Sequence, residues 1–180
     1  MIFSPTALED AFLIDVERRA DERGFLARTF CEQEFVEHGL PMHVVQSTTV
    51  RTSRRHTLRG LHFQQAPHAE VKVIRCTRGS VFMVMVDLRP ESATCNGWVG
   101  VELTAENERM VYVPEGFAQG YQTLENDCEV LYSMSRPYVP EAATGVRWDD
   151  PAFAIDWPQA DERIISERDR SWPALAAVSA

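Results

Sequence analysis

The longest apolar run of the chain is Val81-Phe82-Met83-Val84-Met85-Val86. Successive side chains of a β-strand point to opposite faces, so a strand built from this run presents apolar side chains on both faces. We therefore expect a central strand that is covered on both sides, either by a second sheet or by another subunit. The run is also far too short to cross a lipid bilayer, so it predicts no transmembrane helix.

Further β-prone runs lie on either side, separated by turn-forming residues. The predicted strands cover residues 70–76, 80–88, 97–104, 108–113, 117–124 and 129–135. Regularly spaced short strands are typical of a β-sandwich or barrel, and this chain length predicts a single domain over residues 1–180. A short helix is expected over residues 29–39, because Thr29 and Glu32 have capping-box spacing and Gly39 suits its end. Another is expected around residues 166–169, in a C-terminal arm whose three tryptophans would pack on the barrel.

The composition indicates a soluble globular protein rather than a disordered one. The 180 residues include 27 acidic and 18 basic side chains, which give a formal net charge of −9, and 44% are hydrophobic. Net negative charge disfavours binding to nucleic acid backbones. The N-terminus has no basic region followed by an apolar stretch, so we expect no signal peptide and no membrane partner. Four scattered cysteines form no C-x-x-C pair and predict reduced thiols in the cytoplasm.

The densest group of polar side chains falls between residues 54 and 72. Period-two alternation would place Gly60, His62 and Gln64 on one face of a strand and Arg59 on the other. If the first face lines a barrel interior, His62 can act as a proton carrier near neutral pH. An ordinary hydrogen-bonded core histidine fits the same local pattern, so both interpretations stay open.

A metal site is the main chemical alternative in such a barrel. Barrels of the cupin type often hold a metal on an H-x-H pair, a carboxylate and a later histidine. Here Gln64 stands two residues after His62, and Gln119 stands where a third ligand is expected. Because first-row metal sites generally need three good ligands, we expect no metal. Considered singly, Tyr132 is typical of a packed strand residue and Lys72 of a surface charge.

Five motifs follow one another along nearly the whole chain. They are Asp21-Glu22-Arg23-Gly24-Phe25, Leu58-Arg59-Gly60-Leu61-His62-Phe63-Gln64, Val86-Asp87-Leu88-Arg89, Tyr112-Val113-Pro114-Glu115-Gly116-Phe117-Ala118 and Asp156-Trp157-Pro158. Jointly they are far more specific than any one of them, and they resemble the dTDP-4-dehydrorhamnose 3,5-epimerase family. The resemblance implies a mainly β, cupin-type jelly-roll barrel with short peripheral helices. It also implies a homodimer, in which N-terminal strands reach the partner's sheet and pocket, and a reaction without a cofactor.

Members of this family invert carbons next to the ketone of a nucleotide-linked 4-keto-6-deoxyhexose. By match to the family's motifs, His62 would remove the ring proton and Asp169 would orient its imidazole. Tyr132 would return a proton from the opposite face, and Lys72 would stabilise the enolate oxygen. The residues that the resemblance assigns to substrate binding are Arg23, Arg28, Gln46, Arg59, Gln64, Gln119 and Tyr138.

Two positions depart from the family pattern. Arg28 replaces a carboxylate that in many members can accept the thymine imide proton, and a cytosine ring needs a donor there instead. A CDP-linked substrate is therefore an alternative to a dTDP-linked one. Gln119 replaces a histidine and cannot carry a proton, which leaves inversion at one carbon rather than two as a second alternative. A non-catalytic sugar-nucleotide binding protein and a metal-dependent cupin enzyme are the alternatives of other classes.

Overall fold

The computed structural model of the protein describes residues 1–175. In chain order, its strands are β1 (Ile2–Pro5), β2 (Phe12–Asp15), β3 (Arg19–Asp21), β4 (Gly24–Leu26), β5 (Gln46–Thr52), β6 (Thr57–Gln64), β7 (Lys72–Arg78), β8 (Ser80–Asp87), β9 (Trp98–Thr104), β10 (Met110–Val113), β11 (Phe117–Thr123), β12 (Cys128–Met134), β13 (Ala143–Gly145) and β14 (Ile164–Ile165). Its helices are α1 (Glu32–Glu37) and α2 (Glu167–Arg170). The domain predicted over residues 1–180 includes residues 176–180, which lie outside the described part.

Two sheets face each other and enclose the main hydrophobic core. The first sheet has the strand order β1-β2-β10-β7-β12-β5. The second has the order β13-β6-β11-β8-β9, with β14 added beside β6. The core between them draws on both, with Ile74 and Val130 from the first sheet and Met83 from the second. This is the expected mainly β, jelly-roll barrel of the cupin type.

The apolar run predicted to be central forms β8, which lies between β11 and β9. Its residues Val81, Met83 and Met85 point into the core between the sheets. On the other face, Val84 and Val86 join a second cluster of buried side chains that residues of the C-terminal segment, such as Phe153 and Trp157, complete. We expected a second sheet or another subunit to cover each face of this strand. This face is instead covered by the chain's own C-terminal arm.

The other predicted elements are confirmed in position, with one error in detail. The six predicted strands match β7 to β12 within two residues at each end. Helix α1 is shorter than expected, and its N-cap is Cys31, which makes no capping hydrogen bond through its side chain. The capping-box prediction is therefore wrong, because Thr29 lies two residues before the N-cap. Gly39 does end the helix, at a φ of +72° that glycine adopts at little cost.

Strands β3 and β4 form a separate hairpin that is exposed along its whole length. Its second strand carries two large apolar side chains, Phe25 with 49% and Leu26 with 69% of its surface exposed. Within the described residues, no helix is long and apolar enough to cross a membrane.

Candidate active site

Strand β6 carries one extra residue in its pairing with β11. His62 is opposite Gln119 and Arg59 is opposite Tyr121, so three steps along β6 match two along β11. Gly60 absorbs this bulge at a φ of +128°, and a Cβ added there would lie 2.6 Å from the Cα of Gly120. Arg59 and His62 therefore line the same cavity. The predicted alternation, with these two residues on opposite faces, is wrong because the bulge shifts the side-chain phase.

His62 is paired with a buried carboxylate from the C-terminal arm. Helix α2 begins at the predicted place, and its N-cap Ser166 accepts a hydrogen bond from the Asp169 backbone N–H at 3.1 Å. The Asp169 side chain reaches β6, where Oδ1 lies 2.6 Å from Nε2 of His62. The Gly60 N–H donates to the other oxygen, Oδ2, at 3.3 Å. Two segments that are 107 residues apart in the sequence thus build one pair.

The electrostatics of this pair favour the charged form of the Asp169 carboxylate. Burial raises the pKa of the Asp169 carboxyl, but hydrogen bonds from His62, Gly60 and Trp172 outweigh burial and hold that pKa below its ordinary value. A charged carboxylate accepts the Nε2–H of His62 and leaves the Nδ1 lone pair free to take a proton. The His62 side chain is 39% exposed and borders the cavity, so it is not a fully buried core histidine.

The cavity lies between the two sheets and measures about 320 Å³, within the range of small-molecule sites. The β6 and β11 strands supply one wall, and β7 and β12 supply the facing wall. Its polar lining, besides His62 and Arg59, includes Gln64, Glu70, Lys72, Gln119, Tyr121, Tyr132, Tyr138, Thr144 and Arg168. Among residues 1–175, no group of three or more His, Cys, Asp or Glu side chains is placed to hold a metal ion.

A chain of polar contacts fixes Lys72 at the cavity wall. Lys72 is 9% exposed, and its Nζ forms an ion pair with Oε1 of the buried Glu70. The other Glu70 oxygen accepts a hydrogen bond from Nε2 of Gln64 at 3.0 Å. The side-chain amide oxygen of Gln64, Oε1, in turn accepts a hydrogen bond from the Val139 N–H at 2.6 Å. Both the NH₂ group and the oxygen of the Gln64 side-chain amide therefore make hydrogen bonds within the cavity wall.

Tyr132 is placed across the cavity from His62. It lies on β12 of the first sheet, in register with Ile74 of β7, whereas His62 lies on β6 of the second sheet. Its hydroxyl makes no hydrogen bond within the described part of the chain, and the side chain borders the cavity. The arrangement places a basic nitrogen and a hydroxyl on facing walls.

The predicted binding residues divide into two groups. Arg59, Gln64, Gln119 and Tyr138 line the cavity, and Oε1 of Gln46 accepts a hydrogen bond from the Tyr138 N–H at 3.0 Å. Arg59 is oriented by its Nε–H, which donates to Oγ1 of Thr52 at 3.1 Å.

The two N-terminal arginines do not line the cavity of this chain. Arg23 sits in the exposed hairpin, where its side chain is 82% exposed and Nη2 lies 2.6 Å from Oδ2 of Asp21. Arg28 forms an ion pair with Glu34 of α1. Within one chain, the structure therefore brings neither of them to the other predicted site residues.

The sequence analysis missed Glu70, Arg168 and Trp172, and also Tyr121 and Thr144 of the cavity lining. Glu70 stands two residues before Lys72, a spacing that puts both on one face of an extended segment. Trp172 donates its indole Nε1–H to Oδ1 of Asp169 at 3.2 Å, and it stands three residues after Asp169, just beyond the end of α2. Arg168 precedes Asp169, and its guanidinium lies over the Trp172 ring.

Comparisons with known proteins agree with this geometry. The family model of dTDP-4-dehydrorhamnose 3,5-epimerase matches residues 5–177. The dTDP-4-dehydrorhamnose 3,5-epimerase of Methanothermobacter thermautotrophicus is 45% identical over 175 residues, which cover 96% of this chain and 94% of the relative.

Solved structures give the same result. The crystal structure of the dTDP-4-dehydrorhamnose 3,5-epimerase from Elizabethkingia anophelis superposes with a TM-score of 0.95 at 36% identity, covering 98% of this chain and 97% of that one. The dTDP-6-deoxy-D-glucose-3,5-epimerase of Legionella pneumophila, in complex with dTDP-4-keto-L-rhamnose, superposes with a TM-score of 0.92 at 32% identity, covering 98% and 94%. The chain belongs to the dTDP-4-dehydrorhamnose 3,5-epimerase family.

Proposed function

We propose that this chain is an isomerase that epimerises a nucleotide-linked 4-keto-6-deoxyhexose, the dTDP-4-dehydro-6-deoxyglucose of deoxysugar biosynthesis. Membership of the family supports the reaction class. The observation that carries the proposal for this chain is the His62–Asp169 pair, which faces Tyr132 across a cavity that also holds Lys72. Inversion next to a ketone needs a base on one face of the ring and an acid on the other.

In the proposed first step, His62 removes a proton from a carbon beside the ketone. Nδ1 accepts the proton, and the electron pair of the broken C–H bond forms a C=C bond while the ketone oxygen takes the negative charge. Asp169 stabilises the imidazolium that results, because its carboxylate is buried and charged.

Lys72 supplies the positive charge that the enolate oxygen needs. Its Nζ is held at the cavity wall by Glu70, so little reorganisation is required when the charge develops. In the second step, the Tyr132 hydroxyl delivers its proton to the opposite face of the same carbon and the C=O bond re-forms. Proton exchange with water then restores both side chains, so the proposed cycle uses only groups of the chain itself.

We propose that Arg59, Gln119 and Tyr138 hold the substrate around this centre. Arg59 has a guanidinium fork that suits a diphosphate, and it lines the cavity beside the catalytic pair. Gln119 lies opposite His62 on the neighbouring strand. Tyr138 is 46% exposed at the cavity, where an aromatic ring can stack on a base or line the sugar pocket.

We further propose that the protein works as a homodimer. The hairpin of β3 and β4 is exposed throughout and carries Phe25 and Leu26, which is unfavourable for a surface that stays in water. Arg23 lies in this hairpin and Arg28 just beyond it, away from the cavity of their own chain. In a dimer they would serve the cavity of the partner subunit. Light scattering combined with size-exclusion chromatography tests this proposal, and a monomer would contradict it.

We also propose a cytoplasmic location. The free thiols of the described residues are Cys31, Cys76, Cys95 and Cys128. Burial raises the pKa of Cys76 to about 11, so this thiol is unreactive. Unpaired cysteines are typical of proteins in reducing compartments.

The test is conversion of dTDP-4-keto-6-deoxyglucose and its CDP counterpart, followed in parallel by proton NMR. We expect epimerised product from the dTDP sugar, and a faster reaction of the CDP sugar would support the alternative based on Arg28. Product analysis at the two carbons beside the ketone distinguishes single from double inversion.

Two variants complete this experiment. His62→Asn should abolish conversion. His56→Asn is the matched control, because His56 lies outside the cavity and has a φ of +62°, which asparagine tolerates. Absence of product from either nucleotide sugar with the folded wild-type protein would overturn the proposed function in favour of a binding protein.

A further inference from the structure

Trp172 contacts both members of the His62–Asp169 pair. Its indole Nε1–H donates to Oδ1 of Asp169 at 3.2 Å, and this oxygen also lies 2.6 Å from Nε2 of His62. Its ring meets the His62 ring edge to face, with centroids 6.1 Å apart and an interplanar angle of 76°. One side chain of the C-terminal arm thus touches the proposed base and the group that orients it.

The position of the indole is itself fixed by its surroundings. Gly145 of β13 pairs in register with His62, and a Cβ added to Gly145 would lie 2.7 Å from Cε2 and Nε1 of Trp172. The ring therefore packs directly on the strand backbone, where any other residue would displace it. The guanidinium carbon of Arg168 lies over the ring, 5.1 Å from its centroid, which adds a cation–π contact.

Asp169 needs such a contact to hold one orientation. The terminal torsion of an aspartate side chain is broad, so a carboxylate rotates easily unless hydrogen bonds fix its plane. Oδ2 receives the Gly60 N–H at 3.3 Å, which fixes one of the two oxygens. The Trp172 N–H is a second donor, and it binds the oxygen that His62 uses.

We propose that Trp172 is a positioning residue for the epimerisation, whose indole N–H locks the Asp169 carboxylate in the plane that holds His62. The inference rests on the proposed function, since it assigns His62 and Asp169 to the proton transfer. It adds a residue that does not itself line the cavity and that acts through the pair.

The test compares Trp172→Phe with Trp148→Phe. Phenylalanine keeps an aromatic ring at position 172 and removes only the N–H donor and part of the ring. Trp148 is a matched control in the same arm, because it also lies beneath an arginine, with Arg163 Cζ 5.2 Å from its centroid, and it borders neither the pair nor the cavity.

Trp172→Phe should lower kcat about tenfold, the usual effect of losing one hydrogen bond to a charged group, while KM stays within about twofold. Trp148→Phe should leave both constants unchanged. Equal kcat values for the two variants would overturn the inference. Inactivity of the wild type in the same assay would instead overturn the proposed function, so the two failures are distinguishable.

An NMR measurement that does not depend on activity completes the test. In nitrogen-15 spectra, the indole N–H signal of Trp172 should shift when His62→Asn removes the imidazole from the shared oxygen, and the Trp148 signal should not. The measurement also holds if Trp172→Phe fails to fold. An unmoved Trp172 signal would contradict the proposed hydrogen bond.

Discussion

Replacing Tyr132 by phenylalanine separates the two halves of the proposed mechanism. Tyr132 is the proposed acid on the wall that faces His62, and the substitution deletes a single oxygen atom. Loss of a positioned general acid costs about 100- to 10,000-fold in rate, which corresponds to roughly 3–5 kcal/mol of transition-state stabilisation. Removal of the proton by His62 does not use this hydroxyl, so that step should continue.

The structure also predicts that the variant folds normally. Within residues 1–175 the Tyr132 hydroxyl makes no hydrogen bond, so its loss leaves no buried partner unsatisfied. We expect the free energy of unfolding to change by less than about 0.5 kcal/mol, the usual range for a substitution that breaks no such contact. Any large loss of inversion is then chemical rather than structural.

The assay follows deuterium and configuration together, by NMR in heavy water with the dTDP-linked 4-keto sugar. With Tyr132→Phe, the sugar should still take up deuterium at the carbon beside the ketone, because His62 can return a deuteron to the face from which it removed the proton. Inverted product should form at least about 100-fold more slowly, the contribution expected of a general acid. Tyr112→Phe is the matched control, since Tyr112 is buried on the same sheet in a different cluster and does not border the cavity. Inversion by Tyr132→Phe within about threefold of the wild-type rate would refute the assignment.

Two further predictions concern the framework of the site. Gly60→Ala should lower the free energy of unfolding, measured in urea, by about 2 kcal/mol or more. Residue 60 has a φ of +128°, and the new Cβ would collide with the Gly120 backbone. Unchanged stability would contradict the bulge at this position. Burial raises the pKa of Asp87, but hydrogen bonds from Arg89, Ser92 and Thr94 outweigh burial and hold that pKa at about 2, below its ordinary value. Because the pKa of Asp87 is lower in the folded than in the unfolded protein, its charged form stabilises the fold at pH values above the unfolded pKa. The free energy of unfolding should therefore fall by up to about 2 kcal/mol as the pH drops from about 4 to 2. Urea unfolding of Asp87→Asn should lack this acid-dependent loss, and an identical pH profile would exclude Asp87 as its source.

The strands were predictable because alternating or continuous apolar runs are local patterns, and the proximity of His62 to Asp169 was predictable from the family resemblance. Alternating or continuous apolar runs between turn residues placed β7 to β12 within two residues. The motif around His62 was one of the five that pointed to the family, and the resemblance then implied that Asp169 orients the imidazole. The structure places Oδ1 of Asp169 2.6 Å from Nε2 of His62.

The parts that were missed depend on contacts between distant segments. The bulge at Gly60 arises where β6 meets β11, so alternation along β6 alone gave Arg59 the wrong face. The cover of β8 comes from residues about 70 positions later, which no local pattern specifies. Glu70 pairs with Lys72 and Trp172 donates to Asp169, and single charges and aromatic residues give no signal by themselves.

The most direct test of the proposed mechanism is deuterium incorporation from heavy water into dTDP-4-keto-6-deoxyglucose, measured by NMR with wild-type protein and with His62→Asn. We expect deuterium at the carbons beside the ketone with the wild type, and none above the uncatalysed background with the variant. Equal incorporation by both proteins would remove His62 from the mechanism. No incorporation by the folded wild type would contradict the proposed proton transfer altogether.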